Sequence, residues 1–496
     1  RRAAYWNRDF TSAARYDASI EPNRRRLAHI LGVRDARVEF DAPQLVASTA
    51  QPALVGRGKG YEVFAVRWPA FGDVFGEGLL LLPTGATPAA DVVAIPDADQ
   101  TPEMLVGLTD GVPSESQFAR RLAESGCRVL VPVLIDRQIQ QRKIARLTNR
   151  EYLYRPAFEL GWHLIGYEVQ KVLAGVDWFT RDAGEGDARI GVMGWGEGGL
   201  IALHAGALDT RIDAVCVSGY FDSRQNVWQE PLDRNVFGLL EQFGDAELAA
   251  MIAPRVLVVE AARGPELVIP PGLGGAPARL LTPDPEVVRR ELERARQLVA
   301  GFQSPAPLTL VASGDGTGPF GSAAALGVFL KSLAPQCKLA ESAAAPEHLR
   351  ADFDPQPRQE RQIHEIDRHS QWLLGESQYV RKEFMKNLDT SSLEKYRETI
   401  EPYRELLYSE VIGRYDRELL PPNVRTRMAY DTPKWIGYQV VMDVFPDVIA
   451  YGILFVPKDL KSGERRPVVV AQHGLEGRPE DLIDVERRAY WGFASR

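Results

Sequence analysis

The sequence predicts an α/β fold: a mostly parallel sheet with helices on both faces, present once in full and begun a second time. Three observations predict it. Strand-like and helix-like runs alternate from Glu62 to Ala312, a strand, glycine turn and helix succeed one another from Arg189 to Leu203, and segments near the start recur in order near the end. Alternation of this kind is what βα units laid into one sheet produce.

The strand-like runs are Glu62–Arg67, Gly78–Leu82, Val92–Ile95, Arg128–Ile135, Arg189–Met193, Ala214–Ser218, Arg255–Glu260 and Leu308–Ala312. Helical patterns fall between many of them, at Gln117–Glu124, Pro156–Phe179, Glu197–Ala207 and Pro285–Val299. Pro156 suits a first helical turn, where its missing N–H is no loss. The 356–376 stretch, with Arg358, Arg361, His364, Asp367 and Arg368, has the polarity of an exposed helix.

The recurrence is collinear. Tyr16, Ile20, Glu21, Pro22 and Arg24 are answered 380 residues later by Tyr396, Ile400, Glu401, Pro402 and Arg404. Asp73–Pro83 is answered by Asp447–Pro457, Val92–Asp97 by Val468–His473, and Phe118-Ala119 by Phe493-Ala494. The offsets drift only between 374 and 380, as duplication with loop insertions would leave them. The expected organisation is a complete domain over 1–354, a charged helical connector over 355–386, and the N-terminal portion of a second domain over 387–496. Copy one continues well past the point matching Arg496, so the second domain is expected to be cut short there.

Bulk properties exclude several function classes. The 496 residues are 45% hydrophobic and 25% charged, with a net charge of -8. That balance leaves no basic face for nucleic acid, and the Arg24-Arg25-Arg26 cluster reads as a solvated helix face. No apolar run approaches the roughly 20 residues of a membrane span. The three cysteines make no disulfide framework, and Cys127 and Cys216 read as small core residues. The sequence opens at Arg1, so a signal peptide removed or never included leaves the compartment open, export among the options.

The chemistry centres on Gly194-Trp195-Gly196-Glu197-Gly198-Gly199, between a strand and a helix. This is the setting of a nucleophile elbow, Gly-x-Ser-x-Gly, where small flanking residues let strand and helix approach closely. Gly194 and Gly198 hold the outer positions and Gly196 stands where serine belongs. A phosphate-cradling dinucleotide loop is the rival reading. Its glycines are out of the usual register, its strand is fifth rather than first, and no acidic ribose partner follows the next strand.

With Asn149-Arg150-Glu151, Ser218-Gly219-Tyr220-Phe221 and Ala253-Pro254-Arg255-Val256-Leu257, the elbow resembles bacterial dienelactone hydrolases and acetylxylan esterases of the α/β-hydrolase superfamily. The resemblance covers about Tyr61 to Leu333, and the second copy as far as it runs. It implies an α/β-hydrolase fold. It also implies cleavage of carboxylic esters, often acetylated carbohydrates, by Ser, an acid and His in that chain order, with no cofactor or metal. Carried over, the nucleophile position is Gly196 and the acid position falls at Glu260 or Glu266. The loop after the last strand, Ser313-Gly314-Asp315-Gly316, has no histidine. A second register makes Asp315 the acid and His348 the base, although His348 also reads as an ordinary surface histidine. In the second copy His473, Gly474 and Leu475, followed by Glu476 and Gly477, resemble a loop donating a backbone N–H to an oxyanion. The matching place in copy one is Asp97-Ala98-Asp99-Gln100, whose carboxylates would oppose an oxyanion.

Three functions are therefore expected to compete. The parent protein is an esterase acting on a small ester or acetylated carbohydrate, with its competent triad in the second copy beyond this chain. Or the first copy is a binding module that uses the vacated pocket or surface tryptophans such as Trp228. Or glycine at 196 was introduced to trap substrate. The chain alone is expected to be inactive.

Overall fold

The computed structural model describes every residue except 1, 50, 86, 273, 351–352, 476, 484–493 and 495–496. Phe493 and Glu476 therefore lie outside the described residues. The chain divides into two compact units, Arg1–Leu388 and Asp389–Arg496.

The first unit is built on eight principal strands: β1 (Tyr61–Phe71), β2 (Val74–Pro83), β3 (Asp91–Ile95), β4 (Arg128–Pro132), β5 (Ile190–Trp195), β6 (Ala214–Ser218), β7 (Val256–Ala261) and β8 (Leu308–Ala312). Their order across the sheet is 1-2-4-3-5-6-7-8. The β1–β2 hairpin is antiparallel to its neighbours, and β3 to β8 run parallel. Short pieces at Gln44–Leu45, Leu54–Gly58 and Glu347–His348 extend the β1 edge. An antiparallel hairpin followed by parallel βα units is the α/β-hydrolase order, and it bears out the mostly parallel, helix-covered sheet that the sequence predicts.

The central strands are apolar on both faces, as burial under two helical layers demands. Val93 and Ile95 point into a core shared with Ala13–Leu31, Leu164–Asp182, Glu197–Leu208 and Pro285–Leu298. Val92 and Ala94 point into the opposite core, against Phe118–Glu124 and Ala323–Leu333. Cys127 and Cys216 are wholly buried there, as expected.

Three element assignments need correction. The single helix expected from Pro156 is two helices, Asn149–Glu159 and Leu164–Asp182. Gly161, at φ 83°, ends the first and the His163 side chain caps the second, so the apolar periodicity spans a break. The helix expected to be exposed runs Gln356–Phe384, and its first half is buried on the first unit. Ile363 and Ile366 enter the main core, Arg358 makes a bidentate ion pair with Glu103 at 2.8 Å, and Arg361 pairs with Glu77. Its charges read as solvated because their partners lie 255 and 284 residues earlier. Arg24 is likewise buried, bonded to Glu21 and Asp17 and to the Ala207 carbonyl.

The second unit contains the helix Leu393–Leu406, continued by a π-helical stretch Leu407–Gly413, and an antiparallel sheet of Arg425–Asp431, Trp435–Phe445 and Val448–Pro457. Its local geometry parallels the first unit closely. Ser12 and Ser392 cap their helices alike, and Asp9 and Asp389 take hydrogen bonds from residues 11 and 391. The hairpin pairing Trp435 with Pro457 matches that pairing Tyr61 with Pro83, with irregularities at Asp443/Phe445 and Pro69/Phe71. Val468–Val470, which resembles β3 in sequence, forms no strand and is 84–90% exposed.

Candidate functional site

The sharp turn predicted at 194–198 is present. β5 ends at Trp195, the helix begins at Glu197, and Gly196 between them has φ 58° and ψ -117°, a conformation side chains rarely adopt. The flanking glycines are required by contact: a Cβ on Gly194 would lie 2.0 Å from the Gly198 carbonyl oxygen, and one on Gly198 2.2 Å from that of Ile95.

The space above the apex is filled. A Cβ on Gly196 would lie 2.6 Å from Asp97 Oδ1 and 2.8 Å from Pro265 Cγ. Asp97, just past β3, accepts the backbone N–H of Glu197 at 2.8 Å. That N–H follows the nucleophile position and belongs to the first turn of the helix, where an oxyanion is stabilised in an acting hydrolase. Here a carboxylate of the protein itself takes it. Trp195 roofs the side, stacked on Phe320 at 4.0 Å between ring centres, with its indole N–H donated to the Arg263 carbonyl at 2.8 Å.

Behind the turn lies a buried ion network that sequence reading missed. Glu197, fully buried, accepts from Arg137 at 3.0 Å, Arg150 at 3.0 Å and Arg234 at 2.8 Å. Arg137 also grips Asp97 with two bonds, at 2.6 and 3.1 Å. Arg150 continues to Glu168 at 2.8 Å and to Asp233 at 2.6 Å. Burial pushes the Glu197 carboxyl up, but the three guanidinium groups outweigh it and hold it well below the usual carboxylate range. Asp97 is likewise held low: the Arg137 charge and its hydrogen bonds exceed the cost of desolvation. The nearby His163 and His204 are buried, and loss of hydration pulls them down to about 3 and about 4. Position 197 looked variable within the elbow motif. Only the fold brings its arginines, 60, 47 and 37 residues away, onto one carboxylate.

The remaining candidates do not converge. Glu260, on β7, is buried and accepts Ser218 Oγ at 2.6 Å and the backbone N–H groups of Gly321 and Ser322 at 2.8 Å. It braces two strands to the start of the next helix. Glu266 accepts Thr282 Oγ1 at 2.7 Å on the surface. Asp315 is exposed and closed into a turn by Thr317, whose hydrogen bonds lower its carboxyl. His348 sits in the strand piece at the opposite edge of the sheet, pairing with Gly56. The Asp315–His348 register is thereby corrected: the strand order puts acid and base at opposite ends. In the second unit the His473 ring bonds the neighbouring Gly474 carbonyl at 2.9 Å, and Leu475 is 98% exposed. Trp228 is 74% exposed on a short 3-10 turn. Among the described residues no cluster of His, Cys, Asp and Glu could hold a metal, and no helix is long and apolar enough to cross a membrane.

No family model and no curated protein matches the sequence. Among solved structures, a methylesterase aligns at 16% identity over 67% of this chain and 68% of its own, with a TM-score of 0.45. A glucuronoyl esterase from Solibacter usitatus aligns at 15% identity over 65% and 94%, with a TM-score of 0.41. An acetyl xylan esterase from a Thermoanaerobacterium species aligns at 13% identity over 49% and 78%, with a TM-score of 0.34. Independently of these distant likenesses, the strand order and the strand–turn–helix elbow at Gly196 give the first unit the α/β-hydrolase fold.

Proposed function

We propose that the first unit is a non-catalytic α/β-hydrolase domain, a binding module built on the scaffold of a carboxylic-ester hydrolase. The observation that supports this is the Asp97 carboxylate on the Glu197 N–H, above an apex without a side chain. Acyl transfer needs a nucleophile and donors aimed at the developing oxyanion. The first is missing at Gly196, and one such donor is given to an anion that Arg137 clamps in place. The reading predicts no turnover of p-nitrophenyl acetate above the buffer rate. Hydrolysis that co-purifies with the chain and falls when Asp97 or Glu260 is changed would refute it.

The repeated hairpin register and the repeated Ser-capped helix favour a second reading for the whole protein, a tandem duplication. In it, copy two carries the ester-cleaving centre, with His473, Gly474 and Leu475 as its oxyanion loop, and copy one is a retained scaffold. A polypeptide carrying an entire second copy is then expected to hydrolyse acetyl esters and to lose that activity on removal of its own nucleophile. Activity unaffected by that removal would count against it.

A further inference from the structure

Two hairpins leave the first unit's sheet at the end where the elbow lies. One pairs Ile139–Arg142 with Ala145–Thr148 and follows β4; the other pairs Leu267–Ile269 with Ala278–Leu280 and follows β7. They are packed side by side. A Cβ on Gly275 would lie 2.3 Å from the Arg146 carbonyl oxygen, and one on Gly274 3.2 Å from the Ala145 Cβ. Both are tied to the helix Asn149–Glu159: Arg155 donates to the Gly274 carbonyl at 2.7 Å, and Glu151 takes the Ala276 N–H at 3.1 Å. The 3-10 turn Val227–Gln229 joins them, with Gln229 accepting Arg279 Nε at 2.7 Å.

The pair is apolar, cationic and free of acids. From Leu267 to Leu281 every residue is glycine, proline or aliphatic except Arg279, and from Arg137 to Arg150 none is acidic, on a chain of net charge -8. Ile144 at the first tip is 93% exposed, Val268 78% and Leu281 63%, and Trp228 stands exposed on the adjoining turn. The surface cations are Arg142, Lys143, Arg146 and Arg279, of which Lys143 and Arg146 make no ion pair among the described residues. Acids at the bases of the hairpins are already engaged: Asp99 by Arg137, Asp136 by Asn149, Glu151 by Arg155 and Glu266 by Thr282.

The first tip also runs against local preference. Lys143 takes φ 52° at the first position of a two-residue turn, where glycine is the unstrained choice, and isoleucine follows it into water. Exposed apolar surface flanked by charge of one sign marks an interaction surface. Here the apolar groups stand on projecting tips instead of lining a groove. Aliphatic side chains among Lys and Arg, with a tryptophan beside them, suit the boundary between lipid head groups and acyl chains. A protein contact would call for a surface offering both signs of charge and more hydrogen-bonding groups.

We infer that the two hairpins dock the first unit on an anionic lipid bilayer. Ile144 and Val268 enter the head-group region, and Lys143, Arg146 and Arg279 meet the lipid phosphates and carboxylates. The contact is peripheral, and it is independent of how the elbow is read.

The test is co-sedimentation of the full chain with vesicles of phosphatidylcholine alone, or of phosphatidylcholine with about 30% phosphatidylserine. Binding is expected to be at least tenfold stronger with the anionic lipid and to weaken as salt rises from about 0.05 to 0.5 M. The double variant Lys143→Glu/Arg146→Glu is expected to lose at least tenfold, since each basic residue near such a surface contributes about fivefold. Ile144→Ser/Val268→Ser is expected to lose about tenfold or more through the apolar contact. Lys331→Glu, an exposed charge reversal on the helix Ala323–Leu333, is expected to change binding less than about twofold. All these side chains are exposed, and unaltered thermal melting by circular dichroism shows that each variant folds. No binding at about 1 mM anionic lipid, equal binding to both vesicles, hairpin variants that bind like the parent, or an equal loss with Lys331→Glu overturns the assignment. A chain that is dimeric alone and monomeric as Ile144→Ser/Val268→Ser gives the face to a second copy and overturns it equally.

Discussion

At Gly196, two departures from an acting elbow support one another. Glycine removes the side chain, and Asp97 and Pro265 occupy the volume that side chain would need. On the proposed non-catalytic reading, restoring serine alone restores nothing. Gly196→Ser is expected to remain without esterase activity and to lose about 2 kcal/mol or more of stability, since its Cβ meets Asp97 at a strained φ. Urea denaturation and p-nitrophenyl acetate turnover check the two halves of that statement; a serine variant that hydrolyses ester at unchanged stability contradicts it. Glu197 is the other critical residue. Replacing it with alanine strands three buried guanidinium groups and is expected to cost about 3–5 kcal/mol, read as a lower denaturation midpoint. A change under about 1 kcal/mol would mean the network is relaxed by water.

At the scale of elements, what the sequence makes legible is local and what it hides is long-range. The elbow was legible because a strand, closely spaced glycines and a helix are adjacent in the chain. Strands β3 to β7 were legible because burial on both faces makes them continuous apolar runs. The break between Glu159 and Leu164 was hidden, since Gly161 at φ 83° and the His163 cap turn the chain while the periodicity on both sides stays intact. Burial of the 356–384 helix was hidden too, because Arg358 and Arg361 look solvated until Glu103 and Glu77 are placed beside them. That helix is expected to stabilise the first unit: Ile366→Ala, at a fully buried position, should cost about 2–4 kcal/mol in equilibrium unfolding. A loss under about 0.5 kcal/mol would mean that the helix merely rests on the surface. The elbow helix carries a pH dependence. His204 is neutral in the folded state down to about pH 4, whereas an unfolded histidine takes its proton near 6.5. Stability is thus undiminished above pH 6.5 and is lost as the pH falls from there towards 4, by about 2 kcal/mol at pH 5 from this group. His204→Leu should flatten the dependence of the denaturation midpoint between pH 7 and 5; an unchanged slope would show that His204 protonates freely in the folded state.

At the scale of the whole molecule, a sheet of α/β-hydrolase order carries an elbow whose apex, Gly196, is covered by the Asp97 carboxylate. Four buried arginines, Arg137, Arg150, Arg224 and Arg234, hold together the ends of strands and loops that elsewhere frame a reaction centre. The resemblance to ester hydrolases named the scaffold correctly, yet the residues it pointed to at Glu260, Asp315 and His348 are spread between a brace, a surface turn and the far sheet edge. The most direct measurement is covalent labelling of the intact chain with a fluorophosphonate, read by intact mass and peptide mapping. A closed elbow predicts an unshifted mass after prolonged exposure. A stoichiometric adduct on any residue beside Gly196 would contradict the account.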